Sequence, residues 1–331
     1  MILVIKWQFQ VIILMHHVFS ESKAECGLSL VDQTNLRIIG GRTAEEKEFP
    51  WHAALFRYNP RTKERTYQCG AAILNEYWVV TAAHCISRVK SSLLRLGVGS
   101  IDLNKIKVFD LEKSLRHKKY IPATYENDIA IVKTVKPMKL SMYGHVNNVC
   151  LPKKSENIFG TATVTGFGVK QLRTNPEELM SVEVEVYQNS ICKKAYGKKF
   201  RKGMICAGSE RGGEDACQGD SGGPLIKRID GRAILIGIVS WGVGCGRKEY
   251  PGVYTDIKHY LRWIQRFVNT SRSAKIHEEE GCAKAMGKGN SFAIICLYDH
   301  PEKGFTPNVS KRHNVYEIIN TQVATHYLAC C

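Results

Sequence analysis

The sequence predicts an all-β protein, two packed antiparallel barrels closed by a C-terminal helix. Two observations predict it. Short apolar runs recur along the chain and are broken by Gly, Pro and Asn, the pattern of many strands joined by turns. Trp78-Val79-Val80, Ile129-Ala130-Ile131-Val132 and Ile234-Leu235-Ile236-Gly237-Ile238-Val239 are three such runs. Near residue 260 the period lengthens, and Tyr260, Leu261, Ile264, Phe267 and Val268 fall on one face at helical spacing.

Three segments at the ends of these strands carry chemistry. Gly219-Asp220-Ser221-Gly222-Gly223-Pro224 sets a serine between glycines, whose missing Cβ lets the backbone approach a substrate carbonyl closely. It also leaves the amides of Gly219 and Ser221 free to converge on a developing oxyanion. Thr81-Ala82-Ala83-His84-Cys85 follows the apolar run at Trp78 and reads as a buried strand ending in a turn that presents a histidine. Asp128 stands at the mouth of another apolar strand. A serine hydroxyl is a poor nucleophile at neutral pH. It needs a base of pKa near 7 to take its proton, and that base needs a partner to fix its tautomer.

Each motif alone is weak, since glycine-serine strings are usually loops and the chain holds 11 histidines. Together, flanked as they are and in the order His, Asp, Ser, they resemble the trypsin-like (chymotrypsin-fold) serine protease family, peptidase family S1. The resemblance runs from about Ile38 to about Arg272. It implies six-stranded Greek-key barrels with His84, Asp128 and Ser221 meeting in the cleft between them as a catalytic triad. Gly219 and Ser221 amides would form the oxyanion hole.

The same resemblance implies disulfides Cys69–Cys85, Cys192–Cys206, Cys217–Cys245 and Cys26–Cys150, the last tethering a cut N-terminal piece to the catalytic body. Ala162 and Lys227 stand where one further family bridge would lie. Arg37-Ile38-Ile39-Gly40-Gly41 matches the activation signature of a zymogen: a cut after Arg37 frees the Ile38 ammonium to pair with Asp220. Asp215 corresponds to the floor of a primary pocket that selects Arg or Lys side chains, with Ser240, Gly242 and Gly252 as walls. Ala216 lacks a hydroxyl that would help a lysine ammonium, which favours Arg over Lys. Tyr125 crowds the next subsite. Pro251 argues against sodium dependence, and Val98 replaces a calcium-ligating glutamate, so no metal and no cofactor are expected.

The organisation follows. Residues 1–24 read as a secretory signal, since Lys6, Gln8 and Gln10 interrupt the apolar stretch and no membrane span of about 20 residues forms. Residues 25–37 form a short activation segment, 38–272 the protease domain and 273–331 an extension with four cysteines that matches no module. That extension reads as a disordered tail or an errant gene model ahead of a disulfide-stapled appendage. Asn269-Thr270-Ser271 and Asn308-Val309-Ser310 are glycosylation acceptors in a secreted chain. Twelve cysteines point to an oxidising compartment.

The net charge of +16 belongs to residues 1–272, because the extension carries six basic and six acidic residues. Lys193, Lys194, Lys198, Lys199, Arg201 and Lys202 lie between Cys192 and Cys206 with no acid among them, and Arg116, Lys118 and Lys119 make a second run. Such runs attract polyanions; no motif accompanies them that would point to nucleic acid. The expectation is a secreted, zymogen-activated endopeptidase cutting after Arg, in a regulatory cascade or venom-type role. Its partners would be protein substrates and an activating protease. The competing class is a silent relative that acts as a binding adaptor, and retention of His84, Asp128 and Ser221 speaks against it.

Overall fold

A computed structural model describes residues 25–31, 41–168, 178–209, 219–244, 246–279, 282–286 and 292–296. The expected signal, Arg37, Ile38, Asp215, Cys217 and Cys245 lie outside the described residues. The chain divides into two compact units, residues 1–264 and 265–331.

The first unit holds both expected barrels. A short strand β1 (Arg42–Thr43) precedes β2 (His52–Tyr58), β3 (Arg65–Ile73), β4 (Trp78–Thr81), β5 (Leu94–Val98), β6 (Lys107–Arg116) and β7 (Ala130–Thr134). The last six close antiparallel in the order β2-β3-β4-β7-β6-β5 around fully buried Leu55, Ile73, Leu96 and Ile131. The second barrel uses β8 (Gly160–Gly166), β9 (Met180–Val186), β10 (Met204–Gly208), β11 (Pro224–Ile229), β12 (Arg232–Trp241) and β13 (Gly252–Asp256). They run β8-β9-β10-β13-β12-β11 and close by pairing β11 with β8, while β1 adds to the edge of β9. Val164, Ile205, Leu225, Ile236 and Tyr254 fill this barrel. Apolar side chains at these inward positions drop out of water at about 25 cal/mol per Å², which drives closure in both cases.

Among the described residues there are three α-helices, α1 (Ala83–Ile86), α2 (Asn189–Tyr196) and α3 (Ile257–Glu279), the last beginning in the first unit. In α3, Tyr260, Leu261 and Ile264 are buried, the face that the helical spacing predicts, and Phe267 and Val268 are partly buried. In the second unit, β14 (Cys282–Met286) and β15 (Phe292–Cys296) pair antiparallel with Cys282 opposite Cys296.

Three disulfides occur among the described residues, Cys26–Cys150, Cys69–Cys85 and Cys192–Cys206. The first is reinforced: Gly27 N donates to Asn148 O at 2.7 Å and Ala233 N donates to Gly27 O at 2.9 Å. Asn147 Nδ2 also donates to the carbonyls of Glu25 and Leu28. Where the family bridge is missing, Lys227 donates its ammonium to the Phe159 carbonyl, and Ala162 is buried.

One polar core residue ties the barrels together. His52 of β2 meets Thr165 of β8, Nδ1 to Oγ1 at 2.9 Å, and its ring lies edge-on to Phe167 at 5.5 Å. Its Nε2 is buried without a hydrogen-bond partner among the described residues. Burial holds the imidazole pKa down at about 3, against 6.5 for the exposed group. An unfolded chain therefore takes up this proton as pH falls through 6.5, whereas the folded chain resists it until about 3. Stability from His52 is full above pH 6.5 and drains away as pH falls towards 3. Denaturant unfolding at pH 7 and pH 4 should show about 3 kcal/mol more acid loss for the wild type than for His52→Gln, which keeps a partner for Thr165 but does not titrate. Equal losses would show that the buried imidazole does not govern this limb.

Candidate active site

The strand β4 is buried at every position, and α1 begins two residues after it. That turn leaves His84 on the surface of the first barrel, its side chain 24% exposed. Asp128 is presented by an unusual loop: Tyr125 (φ 55°) and Asn127 (φ 56°) both occupy the left-handed region, and Ile129 N closes on Asn127 O at 2.8 Å. The result is a carboxylate 1% exposed directly beneath the histidine.

Asp128 is saturated with donors. Its Oδ1 accepts from His84 N at 2.9 Å, and its Oδ2 accepts from His84 Nδ1 at 2.8 Å and from Ser240 Oγ at 2.6 Å. Thr255 Oγ1 donates to the Asp128 carbonyl at 2.7 Å. An ionised carboxylate only accepts, so the hydrogen resides on His84 Nδ1 and the lone pair on Nε2. That tautomer is the one a base needs.

The serine loop is pinned from both barrels. Ser221 O accepts from Gly70 N at 2.8 Å, Gly222 N donates to Val239 O at 2.8 Å, and Val239 N donates to Gly223 O at 3.0 Å. Gly222 has φ +80°, and a Cβ built on it would lie 2.3 Å from Thr81 Oγ1, 2.5 Å from Gly70 O and 3.1 Å from Cys85 Sγ. Only glycine fits against that wall. The loop thus packs on the residues that flank His84, and Cys85 is itself bridged to Cys69 beside Gly70. Gly219 has φ +99°, and its carbonyl accepts from Tyr67 Oη at 2.8 Å.

The neighbouring Asp220 turns the other way. Its Oδ1 accepts from Gly168 N at 2.8 Å, and a Cβ on Gly166 or Gly168 would collide with the carboxyl at 2.0 or 2.4 Å. Burial, and then the charge of Asp220, push the Tyr67 phenol pKa well above its usual value.

Of the pocket residues, Gly242 and Gly252 face each other: a Cβ on Gly242 would stand 4.0 Å from Gly252 Cα. Ser240 is buried with its hydroxyl committed to Asp128, so its contribution to a pocket wall is its backbone. Asp215 is outside the described residues. Tyr125 stands edge-on to His84 at 5.7 Å and tilted against Trp241 at 6.4 Å, narrowing the approach to the histidine. Cys69, His84 and Cys85 cluster closely enough to hold a metal ion, but both sulfurs are in one disulfide and offer no thiolate. Sequence reasoning missed the Ser240 and Thr255 contacts with Asp128 and the Tyr67 contact with Gly219. No local pattern could signal them, because the partners are 112, 127 and 152 positions apart.

A family model described as Trypsin matches residues 38–264, more than half of the chain. The chain belongs to the trypsin family. Within that serine protease family it is 37% identical to serine proteinase stubble of Drosophila melanogaster over 75% of this chain and 33% of that protein. It is 35% identical to the tissue-type plasminogen activator of Rattus norvegicus, over 72% of this chain and 46% of that protein. Its identity to transmembrane protease serine 11G of the same rat is 34%, over 74% and 59%. The chain therefore spans between a third and three-fifths of the length of these relatives.

Proposed function

We propose that this trypsin-family chain is a secreted serine endopeptidase, made as a zymogen and activated by a cut after Arg37, that hydrolyses peptide bonds following Arg in preference to Lys. The observation that carries the reading is the His84–Asp128 pair at 2.8 Å with the Ser221 loop packed on its flanks. In the mechanism, Ser221 Oγ attacks the scissile carbonyl carbon while its proton passes to His84 Nε2. The oxyanion is held by the Gly219 and Ser221 amides, and Asp128 stabilises the imidazolium. His84 then returns the proton to the leaving amine, leaving an acyl-enzyme. Water, deprotonated by His84, attacks the ester, and Ser221 departs with the proton from the imidazolium.

Asp215 at the pocket floor would hold the guanidinium, and the facing glycines keep the slot open to a long side chain. Tyr125 favours a small residue just before the arginine. The docked Cys26 tether, Ala216 and Tyr125 favour a selective protease over a digestive one, with a polyanion as a partner for the basic loop between Cys192 and Cys206. Secretion is supported by the disulfides, which persist in oxidising compartments. Among the described residues no helix is long and apolar enough to cross a membrane.

The reading is tested with matched Arg and Lys chromogenic peptides before and after limited trypsin treatment. Activity should appear only with a new Ile38 N-terminus and favour Arg about tenfold or more, the worth of one hydrogen bond to a charged group. A chain with a verified Ile38 terminus and no hydrolysis would be a binding relative instead.

A further inference from the structure

The serine loop is held at its carbonyls, and one of those bonds differs in kind from its neighbours. Asp220 O accepts from Gly223 N at 2.9 Å and Ser221 O accepts from Gly70 N at 2.8 Å, both backbone donors. Gly219 O accepts instead from a side chain, the Tyr67 hydroxyl of β3, at 2.8 Å. That phenol is caged. Phe56, its register partner on β2, stands edge-on at 6.2 Å, and Phe167, just past the end of β8, stands edge-on at 5.6 Å. Burial, then the Asp220 charge, hold the phenol pKa well above its usual value against the pull of the Phe167 backbone amide. The hydroxyl therefore keeps its hydrogen and remains a donor.

The bond acts on the peptide unit that lies between the two amides assigned above to the oxyanion. Gly219 N belongs to the unit before it and Ser221 N to the unit after it. A peptide unit is planar, with its carbonyl and N–H pointing opposite ways. Fixing Gly219 O thus fixes the rotation of the whole Gly219–Asp220 unit, and with it the angle at which the flanking amides converge. Glycine leaves that rotation free in principle, since its backbone accepts either sign of φ, and here it is set at φ +99°. No bulkier residue could supply the stiffness, because a Cβ on Gly219 would lie 2.8 Å from Gly168 Cα. The anchor is also well referenced. Tyr67 stands two positions before Cys69, which is bridged to Cys85 beside His84. One strand thus sets the amides and the histidine against each other.

We propose that Tyr67 is a positioning residue of the oxyanion hole, its hydroxyl orienting the Gly219–Asp220 peptide so that the amides of Gly219 and Ser221 point at one oxygen. The role rests on the serine protease reading above. Hydrogen bonds to an ionised acceptor are roughly twice as strong as those to a neutral one, so misdirected amides cost the oxyanion more than the ground-state carbonyl. Loss of the hydroxyl should therefore appear in kcat and spare KM.

The test compares Tyr67→Phe with wild type, both as the full chain cut after Arg37. Phenylalanine keeps both ring contacts, so the melting temperature should stay within about 4 °C of wild type. On an Arg chromogenic peptide kcat should fall about tenfold, the worth of one buried hydrogen bond, with KM within about twofold. An arginine-terminated peptide aldehyde, whose carbonyl carbon takes Ser221 Oγ and places an oxyanion in the hole, should bind about tenfold more weakly. Benzamidine, which fills the cation pocket and has no oxyanion, should bind as before. An active wild type beside a variant of unchanged kcat and aldehyde affinity would overturn the role of Tyr67 and leave the protease reading standing. Equal weakening of aldehyde and benzamidine would reduce Tyr67 to a support of the fold. Wild type with a verified Ile38 terminus and no hydrolysis would sink the protease reading and this role together.

Discussion

Asp128→Asn should lower kcat by about ten-thousandfold, the size known for this change in the Ser–His–Asp arrangement of this same family, with KM little altered. The contacts of Asp128 explain why an isosteric change is so costly. The carboxylate accepts three bonds, from His84 N, His84 Nδ1 and Ser240 Oγ. Asparagine offers one acceptor oxygen and one donor amide. If its oxygen faces the His84 backbone N–H, its NH2 faces Nδ1 and can donate there only if Nδ1 carries the lone pair and accepts. The imidazole then carries its hydrogen on Nε2 and presents a donor, not a lone pair, to Ser221. Burial of Asp128 at 1% exposure blocks rescue by solvent. The change should leave the fold intact, since Thr255 still holds the backbone of residue 128. Burst kinetics with an active-ester substrate, set beside the melting temperature, separate these effects. A loss under tenfold would remove Asp128 from the mechanism.

How much of this was legible in the sequence depends on the range of each interaction. The strands at Trp78–Thr81 and Arg232–Trp241 were visible because burial imposes a run of apolar residues that is entirely local. His84, Asp128 and Ser221 were visible because each sits in a short flanked motif at the end of such a run. The partners that hold them were not. Ser240 looks like a pocket residue until its hydroxyl is seen to reach Asp128. His52 looks like the start of a strand until the second barrel covers it with Thr165 and Phe167. Closure of a barrel on itself, and of one barrel on the other, makes these contacts, and neither leaves a periodic trace.

Asp220→Asn should leave the uncut chain folded and the cut chain with roughly a hundred-and-fiftieth to a five-thousandth of wild-type activity, the equivalent of the 3–5 kcal/mol lost when a buried ion pair loses one partner. The carboxylate lies against Gly166 and Gly168, where no side chain could stand, and takes a bond from Gly168 N that an asparagine oxygen also accepts. Its charge is felt by the buried Tyr67, whose phenol also grips Gly219. Asp220 and Ser221 are adjacent, so whatever orients the aspartate also orients the amides of Gly219 and Ser221. A new Ile38 ammonium, freed by the cut, would be drawn to that charge and would hold the loop in its working shape. Pairing raises the ammonium pKa above the 7.7–8.0 of a free terminus. Activity of the cut wild type should therefore persist below that raised value and fall as pH climbs through it. The cut variant should lack this alkaline limb, because its loop no longer depends on the ammonium charge. Steady-state rates from pH 7 to 11 on both proteins read the difference. A cut Asp220→Asn chain as active as wild type would show that the loop is ordered by some other contact and that the cut after Arg37 does not act through Asp220.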